Sequence, residues 1–120
     1  GCKLTGTNFS ESIFNHTTIR DCKGDYVIFS MSKLRNVSFN QCFLRGGGLD
    51  NCQFTNVEFE HCNLVEAELH RTSLKGIDLT SSEIAGIRIG SIPGGELKGA
   101  TVTSLQALDI ARMLGITIKD

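Results

Sequence analysis

The chain has 120 residues, room for one domain, and a formal net charge of −1 at pH 7. It holds no Trp, a single Pro, 13 Gly and seven Phe. No run approaches the 18 apolar residues of a membrane span, and no basic leader precedes an apolar stretch, so the expectation is a soluble, cytoplasmic protein with no membrane partner.

The chain repeats with a period of five from its first residues. Stepping by five from Leu4 meets 18 positions, and 17 of them carry a large apolar residue, from Phe9 and Phe14 to Ile84 and Ile89, with Gly24 the exception. Two residues before each centre the side chain is small or β-branched, and the other three positions of each pentad are mostly polar. Five matches neither the 3.6-residue period of a helix nor the alternation of a flat strand. It matches a chain that turns a corner every five residues. Four corners close a coil of about 20 residues with every centre on the axis, and coils stack at the inter-strand spacing. The predicted fold is an all-β solenoid, a right-handed quadrilateral parallel β-helix, with coils over residues 1–92. Four and a half coils at about 4.8 Å each predict a rod of roughly 22 Å. The first coil has no polar cover, which predicts further coils before it in a longer natural protein.

Several features along the coils need a reading of their own. Gly24 removes a core side chain, and either Tyr26 fills the space or the coil narrows. Gly46-Gly47-Gly48 is not followed by Lys-Ser/Thr and is read as a crowded corner rather than a phosphate loop. Cys2, Cys22, Cys42 and Cys62 are one coil apart, with Ser82 continuing the series, so they form an inward ladder, and Cys52 takes the equivalent place on another side. Such spacing suits small buried hydrophobes and lacks the clustered pairs of a zinc site, so no metal is expected. His16, His61 and His70 fall at outward positions without a nucleophile partner, so no catalytic residue and no cofactor is assigned. Asp50 and His70 lie one coil apart in one column, where they could pair.

Charge is uneven around the coil. The side centred on Ile19, Phe39, Phe59 and Leu79 carries Arg20 against Asp21, Glu58, Glu60 and Asp78, a net of −3. Its neighbour centred on Phe14, Leu34, Phe54 and Leu74 carries Lys33, Arg35 and Lys75, a net of +3. Along the axis, residues 46–70 add Asp50, Glu66 and Glu68 to Glu58 and Glu60 without a Lys or Arg.

The register breaks after Ile89. Ser91-Ile92-Pro93-Gly94-Gly95 reads as a turn, and residues 93–102 form a last partial coil whose apolar beat resumes three residues late at Leu97 and Val102. Thr103-Ser104-Leu105-Gln106 matches a capping box with Thr103 as N-cap. A helix is predicted over Ser104 to Leu114 with Gly115 as its C′ residue. Ile116-Thr117-Ile118 alternates like a short edge strand, completing a C-terminal element over residues 103–120. The helix has more apolar residues than one stripe needs, which predicts an isologous homodimer through Leu105, Leu108, Met113, Leu114, Ile116 and Ile118.

Asn63-Leu64-Val65-Glu66-Ala67, Ser73-Leu74-Lys75-Gly76 and Ile77-Asp78-Leu79-Thr80 resemble the consensus Ala-(Asp/Asn)-Leu-X-X of the pentapeptide-repeat proteins. The tail from Val102 to Leu108 and from Ala111 to Ile116 looks like the terminal helix of the Qnr and MfpA type of fluoroquinolone-resistance protein. So do Leu4 to Phe9 and Thr72 to Asp78. That resemblance implies a non-enzymatic protein that imitates duplex DNA, binds DNA gyrase or topoisomerase IV without contacting nucleic acid itself, protects the enzyme from quinolones and dimerises through its C-terminal helix. Some members interrupt the coil with surface loops, and residues 4 to 89 contain none. The implied partner surface is the acidic one: Glu58, Glu60, Asp78, Asp50, Glu66 and Glu68. A general protein-interaction scaffold is the alternative reading.

Overall fold

The computed structural model describes residues 2–90 and 95–119. Three parallel strands, β1 (Ile13–Arg20), β2 (Lys33–Asn40) and β3 (Gln53–Glu60), form a sheet in the order β1-β2-β3. Their partners are 20 residues apart throughout, as in Phe14↔Leu34 and Leu34↔Phe54. The other two sides of the coil keep the same step through single parallel bridges, Lys3↔Lys23↔Phe43↔Asn63↔Glu83 and Asn8↔Ile28↔Gly48↔Glu68↔Arg88. One coil is therefore 20 residues on every side. With the cap included, the molecule measures 42 × 24 × 22 Å.

The corners explain how a pentad closes. Among the described residues, the second residue after every centre except Leu79 lies in the left-handed region, at Gly6, Gly46, Gly76 and Gly86 but also at Glu11, His16, Asn36, Asn56 and Glu66. A left-handed L residue costs roughly 1–2 kcal/mol, yet most corners carry one. Backbone bonds to the next coil on both sides of the corner, such as Leu44 N–H to Asn63 O (2.8 Å) and Gly46 N–H to Val65 O (2.9 Å), hold it there.

The axis is filled by the pentad centres. Phe39, Leu34, Leu49, Leu64 and Leu79 are fully buried. Phe39 and Phe59 stack with ring centroids 5.1 Å apart, and Phe9 stacks on Phe29 at 5.5 Å. Cys22, Cys42, Cys52 and Cys62 are buried free thiols, while Cys2 is exposed. Their thiols donate to carbonyls of the coil before: Cys42 to Ile19 O (3.3 Å), Cys62 to Phe39 O (3.3 Å) and Cys52 to Phe29 O (3.0 Å). Burial pushes the Cys52 thiol up, away from the reactive thiolate. Ser32, Thr72 and Ser82 take the same place in other coils and accept from the amide one coil earlier, as Ser82 Oγ does from Cys62 N–H at 3.2 Å.

Gly24 leaves no void. A Cβ there would lie 3.3 Å from Leu44 Cδ2 and 3.5 Å from Val27 Cγ1, so the neighbours have closed in. Tyr26 does not fill that space. It is 60% exposed, and its ring lies over Gly46, where a Cβ would be 2.5 Å from Tyr26 Cε1. Tyr26 is itself a corner residue with positive φ, which turns its side chain outward. The glycine at 46 is thus the floor for an aromatic ring on the coil above, a crowded corner as expected.

The turn expected over Ser91 to Gly95 lies outside the described residues except for Gly95. Beyond it, the three-residue delay is real: Asp78 bridges Thr101, Leu74 N–H reaches Glu96 O and Leu79 N–H reaches Thr101 O, offsets of 22 to 23 in place of 19 to 20. Helix α1 (Ser104–Met113) follows with Thr103 as N-cap and both arms of the capping box formed. Gln106 also reaches beyond the helix. Its Nε2 donates to Leu79 O (2.7 Å) and Ser82 O (2.8 Å), fastening the helix to the carbonyls of the coil beneath. The helix ends one residue earlier than expected, at a Schellman closure in which Gly115 N–H reaches Arg112 O and Ile116 N–H reaches Ala111 O. Residues 116–118 form no ladder, because no described strand of this chain lies beside them. The expected edge strand is therefore not formed.

Candidate partner-binding surfaces

The strand pair β2-β3 sets the first surface. Alternation along β3 turns Val57 and Phe59 into the core and leaves Glu58 and Glu60 outside, opposite Ser38 and Asn40. Asp78 and Thr80 lie 20 residues after Glu58 and Glu60, in the next coil, where Asp78 bridges Thr101 and faces β3 across a depression. Asn40 Nδ2 donates to Glu60 Oε2 at 3.3 Å. Asp78 Oδ1 accepts from the Thr80 hydroxyl (2.6 Å) and the Thr80 amide (2.8 Å), and these donors hold the Asp78 carboxyl below the usual carboxylate range. The three carboxylates border a depression of about 450 Å³ whose wall also includes His61, Gly76 and Ser81. None of the three is ion-paired among the described residues, where the pairs are Arg45 with Glu66 and Arg112 with Asp109.

The other three acidic residues do not join this surface. Asp50 and Glu68 belong to the pentads half a coil away, on the opposite side of the rod. Asp50 accepts from Ser30 Oγ at 2.6 Å and from Asn51 Nδ2 at 3.2 Å, and His70 is not among its hydrogen-bond or ion-pair partners. Glu66 sits at a corner and is paired to Arg45 at 3.3 Å. Residues close in sequence are dispersed because each pentad turns a quarter of the coil.

The second surface is the cap. No residue of α1 is fully buried. Leu105 is 76% exposed, Met113, Leu114 and Ile116 are exposed, and Leu108 and Ile118 are half-buried. An apolar groove of about 260 Å³ runs between the last coil and the helix, lined by Leu97, Val102, Ile110 and Leu114 among others. Sequence reasoning missed the exposed apolar residues of the early coils, Ile13, Tyr26, Met31 and Phe43. It also missed Glu96, a buried carboxylate, although its place just after the register break was a usable signal.

Among the described residues, no group of three or more His, Cys, Asp or Glu side chains is placed to hold a metal ion. No curated protein matches the chain. Among solved structures it is similar to a pentapeptide repeat protein from the Arabidopsis thaliana thylakoid lumen, with 17% identity over 92% of this chain and 75% of that one and a TM-score of 0.56. It is also similar to trypsin-treated QnrB1, a plasmid-mediated fluoroquinolone resistance protein, at 15% identity over 100% of this chain and 79% of that one, TM-score 0.44. A third is Rfr23, a pentapeptide repeat protein of the cyanobacterium Cyanothece 51142, at 14% identity over 84% of this chain and 91% of that one, TM-score 0.35. The family description of a pentapeptide repeat region matches residues 1–69, more than half of the chain, and together with the 20-residue coil it places this protein in the pentapeptide repeat family.

Proposed function

We propose that this protein binds a type II topoisomerase, DNA gyrase first among them, by presenting the Glu58, Glu60 and Asp78 surface in place of duplex DNA, and that it works as a dimer joined through its cap. The observation that carries this reading is that Glu58, Glu60 and Asp78 border one depression, with no cation paired to any of the three among the described residues. Like charges gathered on one side of a fold repel one another and work against the compact state. Folding alone gives no reason for that arrangement. A basic DNA-binding saddle supplies one, since it would draw in this side and repel the neighbouring side with Lys33, Arg35 and Lys75. The resemblance of the tail to the Qnr and MfpA type supports the same partner.

The test reverses Glu58, Glu60 and Asp78 to Lys and, as a control, Lys33, Arg35 and Lys75 to Glu, and measures gyrase binding and quinolone protection in a supercoiling assay. Loss of binding in the first variant and retention in the second is the expected result, with an association rate that falls as salt rises. Equal affinity for both variants would overturn the acidic surface, and no binding by the wild-type chain would leave the scaffold reading.

A further inference from the structure

Glu96 is the only charged side chain among the fully buried described residues, at 8% exposure. It lies where the ladder breaks. In regular coils the residue at this corner donates its N–H to a main-chain carbonyl of the next coil, as Met31 does to Asp50 O, Gln41 to Glu60 O and Asn51 to His70 O. Arg71 is the next member of that series on its side of the rod. Its N–H instead donates to Glu96 Oε2 at 3.1 Å. The same oxygen accepts from Gly90 N–H at 2.8 Å. Glu96 is also held by its own main chain, whose carbonyl accepts from Leu74 N–H at 2.9 Å. One carboxylate thus ties residues 95–102, which carry the helix, to two segments that precede the break, at Arg71 and at Gly90.

We propose that Glu96 is an acid-sensitive clip that holds the terminal coil and the helical cap on the solenoid. Burial by itself would push the carboxyl up, but the Arg71 and Gly90 amides donate to its charged form and the His70 imidazole nearby favours it too, so the net displacement is downward. Of the charged side chains nearby, Arg71 borders the small cavity beside Glu96 and Arg88 lies two residues from Gly90. A carboxyl displaced downward by folding stabilises the fold above the ordinary glutamate range, and that contribution is lost as pH falls through the lower folded value. Gly90 belongs to the same device. A Cβ there would stand 2.8 Å from Glu96 Oε2, so a side chain at 90 would push the carboxylate off its donors.

The amides that report on the clip are Gly76, Leu79 and Thr101, which bond Gly99 O, Thr101 O and Ile77 O across the terminal coil. Asn63 and Glu68, bonded to Cys42 O and Gly47 O, report on the interior coils. Hydrogen exchange at pH 7, corrected for intrinsic rates, should be faster by about tenfold at the terminal set in Glu96→Gln and also in Gly90→Ala, while the interior set stays within about twofold. The wild-type terminal set should lose its protection as the pH falls below the ordinary glutamate range, whereas Glu96→Gln should show no such step; Glu83→Gln, at an exposed site on another side of the coil, should behave as wild type. The proposal is overturned if neither variant loosens the terminal set at pH 7, if both sets loosen together, or if Glu96→Gln keeps the wild-type acid step.

Discussion

The coils up to Gly90 and the terminal segment from Gly95 onward are stabilised in different ways. In the coils any one contact has copies. The inward column of Cys22, Cys42 and Cys62 ends in Ser82, the column of Ser32 and Cys52 continues in Thr72, and thiol and hydroxyl fill the same place. In the terminal segment each contact occurs once: Thr103 with Gln106, Gln106 with Leu79 and Ser82, and Glu96 with Arg71 and Gly90. Repetition makes a coil tolerant of its side chains but intolerant of voids on the axis. A cap built from single contacts fails locally, one bond at a time.

The sharpest way to separate the two regions is to empty the axis. Phe39→Ala removes a ring packed against Phe29 and Phe59 and should cost about 3–5 kcal/mol, lowering the urea midpoint of the whole solenoid. A loss confined to one coil would break the comparison. Next in size are the corners. Gly76 has nothing within 4 Å of its would-be Cβ, so Gly76→Ala tests the left-handed backbone alone and should cost about 1 kcal/mol. Gly46→Ala adds displacement of the Tyr26 ring, and its excess over Gly76→Ala should vanish in a Tyr26→Ala background, as a double-mutant cycle will show.

In the cap, Thr103→Ala should cost about 1 kcal/mol and appear as lost amide protection at Gln106 and Ala107, with the coil amides unchanged. The smallest effect on folding is expected at Leu105, which is 76% exposed: Leu105→Lys should change monomer stability by less than about 0.5 kcal/mol. The same variant should convert the proposed dimer to a monomer in light scattering at micromolar concentration. A wild-type chain that is already monomeric there would remove the dimer from the functional reading.

Much of this was legible in the residues. Leu4 to Ile89 state the period, and a period of five has one geometric solution. Thr103, Gln106 and Gly115 state the limits of the helix to within one residue, because caps act over three or four neighbours. The choice between Tyr26 and a narrowed coil at Gly24 stayed open in the sequence because it depends on which way a left-handed corner turns a side chain. Asp50, Glu58, Glu60, Glu66 and Glu68 form one acidic run in sequence and became separate groups once each pentad turned a quarter of the coil. Ile116 to Ile118 had the alternation of a strand, but a strand also needs a partner, and local pattern does not provide one.

The sequence by itself determined the repeat, the inward and outward positions, the charge of each side and the capped helix, since all of these follow from spacing along the chain. Only the tertiary structure decided what depends on contact between residues 20 or more apart. It closed the space at Gly24 with Leu44 and Val27, laid Tyr26 on Gly46 and brought the Glu96 carboxylate to Arg71 and Gly90. A buried charge is stable only where donors from distant segments converge on it, and no local pattern announces that convergence.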